Sequence, residues 1–221
     1  MPNHSLNKLP PKVILWGGTG QAKTVRPIIE HFGAKVVAVF DDTPNLQPPF
    51  SDVELYCGWT AFSGWIANKK AEDIGFCIAI GNPHGRVRLR LHSALVDEGL
   101  SPVTFAHPSA LVADDAEIGA GCQILAGAIV ASEASLGMQC IIGTNGLVEH
   151  EARLDDAVEV APSATVLGLT QIGVNSFVGA GATVLSRLHI GSDVTIAAGA
   201  VVATNIADKE TVRCGSIERP L

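Results

Sequence analysis

The sequence predicts two parts: an α/β Rossmann-like N-terminal domain, then a left-handed parallel β-helix of hexapeptide repeats. Three observations carry this. An aliphatic residue recurs at every sixth position from Val112 to Val202. A small residue follows four places after most of these. Upstream, short apolar runs alternate with amphipathic stretches, and the first run leads into a glycine loop.

The hexad is unbroken. Stepping by six from Val112 through Ile118, Ile124 and onward to Ile190, Ile196 and Val202 meets only Val, Ile or Leu. A period of six fits neither the 3.6 of an α-helix nor the 2 of a simple strand. It fits one short strand plus one turn, with three such units closing a triangular coil of about 18 residues. The aliphatic residue then points into the prism and stacks on its counterpart one coil away. The small residue four places later (Ala116, Cys122, Ala128, Ala134, Cys140) fills the tight corner. A glycine often follows the aliphatic residue, as at Gly119, Gly137, Gly143, Gly173, Gly179 and Gly191, and is expected to permit turn conformations that a Cβ would penalise. This places the β-helix over 107–203. The segment 204–221 breaks the hexad and is expected to form a C-terminal cap over the strand edges.

Residues 12–106 read as alternating strands and helices. The runs KVILW (12–16), AKVVAVFDD (34–42) and IGFCIAIGNP (74–83) are the expected strands, with amphipathic stretches between and after them. This is a small parallel sheet with helices on its faces. Residues 1–11 are expected to be a disordered tail. Gly18-x-Gly20-x-x-Lys23 follows a strand and opens a helix, the context in which phosphate meets a helix N-terminus. Gln21 lies within this loop, and Asp41 and Asp42 end the next strand, where an acid reaches a ribose hydroxyl. Asn82, His84 and Arg86 follow the third strand on the side facing the loop. The loop suits a nucleotide-sugar diphosphate, less well NAD, or a purely structural turn. No GxxxxGK[ST] occurs, which excludes a P-loop.

Composition narrows the function classes. The net charge of −7 gives no electrostatic footprint for nucleic acid or an anionic membrane. No run approaches the roughly 20 apolar residues of a membrane span, and the N-terminus has no signal-peptide core. The five cysteines form no CxxC pair, as expected of reduced thiols in a cytoplasmic protein. The steps from His107 to His150 and from His150 to His189 are not near multiples of one coil. The three histidines therefore share no edge in register, and no metal site is expected.

The glycine loop before a hexapeptide β-helix, together with the run Leu147-Val148-Glu149-His150-Glu151, resembles the sugar O/N-acyltransferase family of hexapeptide-repeat transferases. That family includes sialic acid O-acetyltransferases and N-acetyltransferases of nucleotide-linked 4-amino sugars. The resemblance implies a homotrimer with active sites in clefts between β-helices, acetyl-CoA as co-substrate and no metal. It implies His150 as the general base and Glu151 as the acid that orients it. A neutral imidazole suits the removal of a proton from an attacking amine or hydroxyl, and a carboxylate on the other ring nitrogen fixes the tautomer. His150 lies two residues past the inward Val148 and is expected to face outward. Thr144 and Asn145, with Gly18, Gly20, Gln21, Lys23, Asp41, Asp42, Asn82 and Arg86, are the implied substrate contacts. Gly168, Gly179, Ala180, Gly181, Ala198 and Gly199 are the implied surface for the pantetheine arm.

The match has departures. Gln21 replaces a histidine, Gly143-Thr144 replaces Asn-Thr, Glu159 replaces a second histidine, and Gly215 to Arg219 replaces the usual GxPAK end. The expected reaction is acetyl transfer to the amino group of a nucleotide-linked sugar by direct attack. The alternatives are O-acetylation of a sialic-acid-type hydroxyl and a non-catalytic scaffold that binds nucleotide sugars.

Overall fold

The computed structural model describes residues 6–81 and 84–214. Its N-terminal part is a five-stranded parallel sheet built from β1 (Lys12–Trp16), β2 (Lys35–Asp41), β3 (Leu55–Cys57), β4 (Ile74–Ile78) and β5 (Ser101–Pro102), in the order 3-2-1-4-5. Three helices connect them: α1 (Gly20–His31), α2 (Gly58–Ile66) and α3 (Gly85–Asp97). β1 and β4 are buried almost throughout, as continuous apolar strands covered on both faces should be. The edge strands β3 and β5 carry no sequence signal. They are too short to show an alternation, and β5 contains Pro102, tolerated at an edge.

The hexads form a parallel β-helix that begins at Phe105–Ala106 and runs to Thr211–Val212, with strands stacked on three faces. Each strand pairs with its counterpart one coil away, as in Val130↔Val148↔Val166↔Val184↔Val202. Fourteen of the sixteen hexad residues are buried; Val112 and Ile118, in the first coil, are half-buried. At roughly 1.5–3 kcal/mol per buried aliphatic side chain, this stack is the main stabiliser of the β-helix. The small corner residues face inward as expected. Where they are polar they are satisfied: Thr170 Oγ1 donates to Leu185 O at 2.9 Å and Ser176 Oγ to Gly191 O at 2.7 Å.

Three expectations need correction. The glycines after the aliphatic residues do not adopt turn conformations with positive φ. They are needed for close approach, since a Cβ on Gly119 would lie 2.4 Å from Gly137 O and one on Gly179 2.5 Å from Ala198 N. The left-handed turn residues sit three places after the aliphatic one, at Gln139, Asn145, Glu151, Ala157, Asn175 and Asp193 among others. The segment after Val202 is not a separate cap in its described part. Ile206 bridges Ile190 and Thr211–Val212 pairs with Thr195–Ile196, so the hexad resumes after a small deletion. The run from Gly215 to Arg219 lies outside the described residues. The tail over 1–11 is docked from Leu6 onward: Leu6 packs on the prism core, and Asn7 Oδ1 accepts the Ala106 N–H at 2.9 Å.

The two parts are joined along α3. About two turns of this helix, from Gly85 to His92, run beside the corner column Gln139, Ala157, Asn175 and Asp193. His92 Nδ1 meets Gln139 Nε2 at 2.9 Å, Arg88 Nη2 donates to Ala157 O at 2.8 Å, and Arg86 pairs with Asp193. Gly85 is obligatory, because a Cβ would lie 2.3 Å from Asn175 Oδ1 and 2.7 Å from Ala157 O. A helical turn of about 5.4 Å nearly matches the strand spacing of about 4.8 Å, so successive turns meet successive coils.

Candidate active site

His150 and Glu151 are the two central residues of one coil turn, and Glu151 takes the left-handed conformation at φ 56°. That backbone turn brings the adjacent side chains together: His150 Nδ1 lies 3.1 Å from Glu151 Oε2. The His150 N–H donates to Glu149 Oε2 at 3.2 Å, and His150 O accepts the Leu169 N–H one coil on. The imidazole is half exposed and lies against Gly168, where a Cβ would come within 2.7 Å of Cε1 and Nε2. Gly168 therefore clears the space that the ring occupies. With Nδ1 on the carboxylate, Nε2 is the nitrogen left to take a proton from a substrate.

The outward residues, one before each hexad aliphatic, give the three faces different chemistry. Phe105, Gln123, Ile141, Glu159 and Phe177 face the N-terminal domain; Gln123 is fully buried and donates from Nε2 to Ile78 O at 2.7 Å. Glu117, Ser135, Arg153, Gln171 and His189 form a polar face. Leu111, Ile129, Leu147, Thr165, Thr183 and Val201 form the third, and Leu111 is 66% exposed there. His150 stands on one edge of this third face, at the corner opposite the docked domain. Thr144 and Asn145 stand on its other edge, in one column with Ala180-Gly181 and Ala198-Gly199: Ser163 N donates to Thr144 O, Gly181 N to Pro162 O, and Gly199 N to Ala180 O. Ala180, Gly181, Ala198 and Gly199 are exposed, whereas Gly179 is buried under the next coil. Of the implied pantetheine contacts, only Gly168 shares the His150 corner.

The glycine loop lies at the carboxyl end of the sheet, beside the end of β4, where the strand order reverses. A Cβ on Gly17 would lie 2.3 Å from Ala79 O, so the loop closes tightly on that strand. Asp41 braces it, accepting the Gly18 N–H at 2.7 Å and the Thr43 N–H at 2.8 Å. Gly20 opens α1 with free space beside it, and no side chain caps that helix. Lys23 and Asp42 are exposed near the loop. Gln21 reaches the β-helix instead, donating from Nε2 to Gln123 Oε1 at 2.8 Å. Arg86 is held by Asp193 at 2.5 and 2.7 Å, and its backbone N–H donates to Asn175 Oδ1 at 3.0 Å. Asn82 lies outside the described residues.

Within one chain, therefore, the crevice and His150 lie on opposite sides of the prism. A groove of about 590 Å³ along Glu117, Ser135 and Asp155 and another of about 500 Å³ at Lys12, Trp65 and Lys69 both lie away from His150. No group of three or more His, Cys, Asp and Glu among the described residues could hold a metal ion. No described helix is long and apolar enough to cross a membrane. Two features escaped the sequence reading. The apolar third face could have been found by sorting the outward residues one coil at a time. The buried Arg88 had no such signal.

Comparison with known proteins places these features. Residues 12–93 match the PglD N-terminal domain. The acetyltransferase domain of PglB from Neisseria gonorrhoeae is 28% identical, with 96% of this chain and 100% of that chain covered and a TM-score of 0.82. PerB from Caulobacter crescentus, solved in complex with CoA and GDP-perosamine, is 29% identical over 89% of this chain and 91% of its own, with a TM-score of 0.80. WeeI from Acinetobacter baumannii, 20% identical over 90% of this chain and 94% of its own with a TM-score of 0.67, shares the fold. A search of curated proteins gave no match. With a PglD-type N-terminal domain over residues 12–93 and a fold shared along nearly its whole length, the chain is similar to these hexapeptide-repeat acetyltransferases.

Proposed function

We propose that the protein transfers acetyl from acetyl-CoA to the amino group of a nucleotide-linked amino sugar, with His150 as general base. The observation that carries this is the His150 corner: an imidazole with one nitrogen on Glu151, seated in the space left by Gly168. His150 Nε2 takes the proton as the amine forms its bond to the acetyl carbonyl carbon. Glu151 holds Nδ1–H and steadies the imidazolium. The imidazolium then returns its proton to the departing thiolate of coenzyme A, so no acyl-enzyme is needed. The binding of CoA and GDP-perosamine by PerB, 29% identical, supports this substrate pair. The exposed strip Ala180-Gly181 and Ala198-Gly199 offers a smooth groove for the pantetheine arm.

The active unit in this reading is a homotrimer. The crevice and His150 of one chain face away from each other, so a nucleotide sugar joins both only if a second copy supplies one of them. The apolar face edged by His150, with Leu111, Ile129 and Val201 exposed, is the surface such a copy would cover. The free thiols of the described chain fit a cytoplasmic setting.

His150→Asn tests the base. Acetyl-CoA turnover with a panel of nucleotide-linked amino sugars should fall by about 10²–10⁴-fold. Unchanged turnover would remove His150 from the mechanism. Acetylation of hydroxyl but not amino acceptors would make the enzyme an O-acetyltransferase. Binding of nucleotide sugars with no turnover in the wild type would favour a scaffold.

A further inference from the structure

Arg88, on α3, is 1% exposed and therefore stands as a charge deep inside the junction between the two parts. Burial lowers its pKa, and nearby Glu159 opposes that shift. Such a group is retained at a cost unless every donor is placed. Here the guanidinium reaches four acceptors on three separate segments. Nε donates to Gln139 O at 3.1 Å and Nη2 to Ala157 O at 2.8 Å, on two successive coils. Nη1 meets Glu159 Oε2 at 3.4 Å and donates to Ile80 O at 3.2 Å. Ile80 is the residue that leads out of β4, and its Cγ1 lies 3.0 Å from where a Cβ on Gly17 would stand. Glu159 Oε1 lies 3.7 Å from the corresponding point on Gly81. One side chain thus ties the coil stack to the strand end that forms the wall of the glycine-loop crevice.

We propose that Arg88 is a positioning residue for the nucleotide half of the substrate. It sets where the β4 end stands against the glycine loop, and so fixes the width of the crevice. Lysine cannot replace it, because a single ammonium cannot span carbonyls on three segments as a planar fork does. Glu159 is its counter-charge, which gives that departure from the family's second histidine a function in this chain. The proposal rests on the crevice being the nucleotide site of the proposed reaction.

The test measures binding of GDP and UDP to the full-length protein by calorimetry, separately from acetyl transfer. Arg88→Lys should weaken the better-bound nucleotide by about ten-fold or more, since small displacements of a positioning group are costly. It should leave the KM for acetyl-CoA unchanged. Arg88→Lys also loosens the junction, so the double variant Arg88→Met/Glu159→Leu is the control. Apolar replacement of a buried pair commonly restores stability, so this variant should melt near the wild type yet still bind nucleotide weakly. If the double variant regains both stability and nucleotide affinity, Arg88 is structural only and the proposal fails. If Arg88→Lys binds nucleotide like the wild type, the proposal fails while the proposed reaction stands. If the wild type binds neither nucleotide, the crevice reading and the proposal fall together.

Discussion

Adding one methyl group at Gly168 should disable the enzyme without unfolding it. The backbone there does not need glycine, because its φ lies outside the left-handed region. The obstacle is the imidazole: an alanine Cβ would stand 2.7 Å from both Cε1 and Nε2 of His150 and 3.2 Å from Cδ2. Carbon contacts are comfortable at about 3.5–4.0 Å, so the ring must retreat by roughly 1 Å. It can do so because it is half exposed, and it then leaves the 3.1 Å contact with Glu151. A displacement of that size costs on the order of 10²-fold in rate when it misaligns a reacting group. Steady-state acetyl transfer by Gly168→Ala should therefore show a fall in kcat of that order, with the thermal midpoint within a few degrees of the wild type. The change should add almost nothing to His150→Ala, since both act on the same ring. A Gly168→Ala enzyme with kcat within two-fold of the wild type would refute the argument. A raised KM for acetyl-CoA at constant kcat would return Gly168 to the pantetheine groove.

Other outcomes follow from the same geometry. Glu151→Gln should lower kcat while sparing both KM values, because the amide cannot steady an imidazolium; a pH–rate profile checks it. Leu111→Asp on the 66%-exposed apolar position should dissociate the proposed homotrimer, read as a smaller mass by light scattering, with acetyl transfer lost in parallel. Asp193 is held down to about 2, below its ordinary 3.8, chiefly by the Arg86 hydrogen bond and then by Asn175. Because its folded-state pKa is depressed, its stabilisation is present above about pH 4 and fades as pH falls from 3.8 towards 2. Asp193→Asn should therefore melt earlier than the wild type near neutral pH, with the gap closing as the medium is acidified through that window. Ile142→Ala, fully buried in the stack, should cost about 2–5 kcal/mol in urea unfolding.

The prism was legible because one physical rule repeats. Every sixth side chain must be aliphatic to fill the interior, so Val112 to Val202 announce it without help from other positions. His150 was singled out for the opposite reason: it stands in a short run resembling a known family's. What could not be read depends on contacts between distant segments. Asp41 looked like a ribose ligand by spacing, yet its carboxylate accepts the Gly18 and Thr43 N–H groups. Gln21 and Arg86 looked substrate-facing, and both reach across to the β-helix. Arg88 sits in a helix with two other arginines close by, and only the packed junction distinguishes it.

The α3 seam sets a rule for how this molecule can change length. A helical turn exceeds a coil by roughly half an ångström, so the two rulers stay in phase over three or four coils and no further. One extra coil inserted after Val202 would lengthen the prism and leave the seam intact. The same coil inserted between Gln139 and Asp193 would strand Arg86 or His92 one level from its partner. Growth is open at the C-terminal end and closed beside the crevice, so the height of the coil stack relative to the end of β4 is fixed by the helix that touches both.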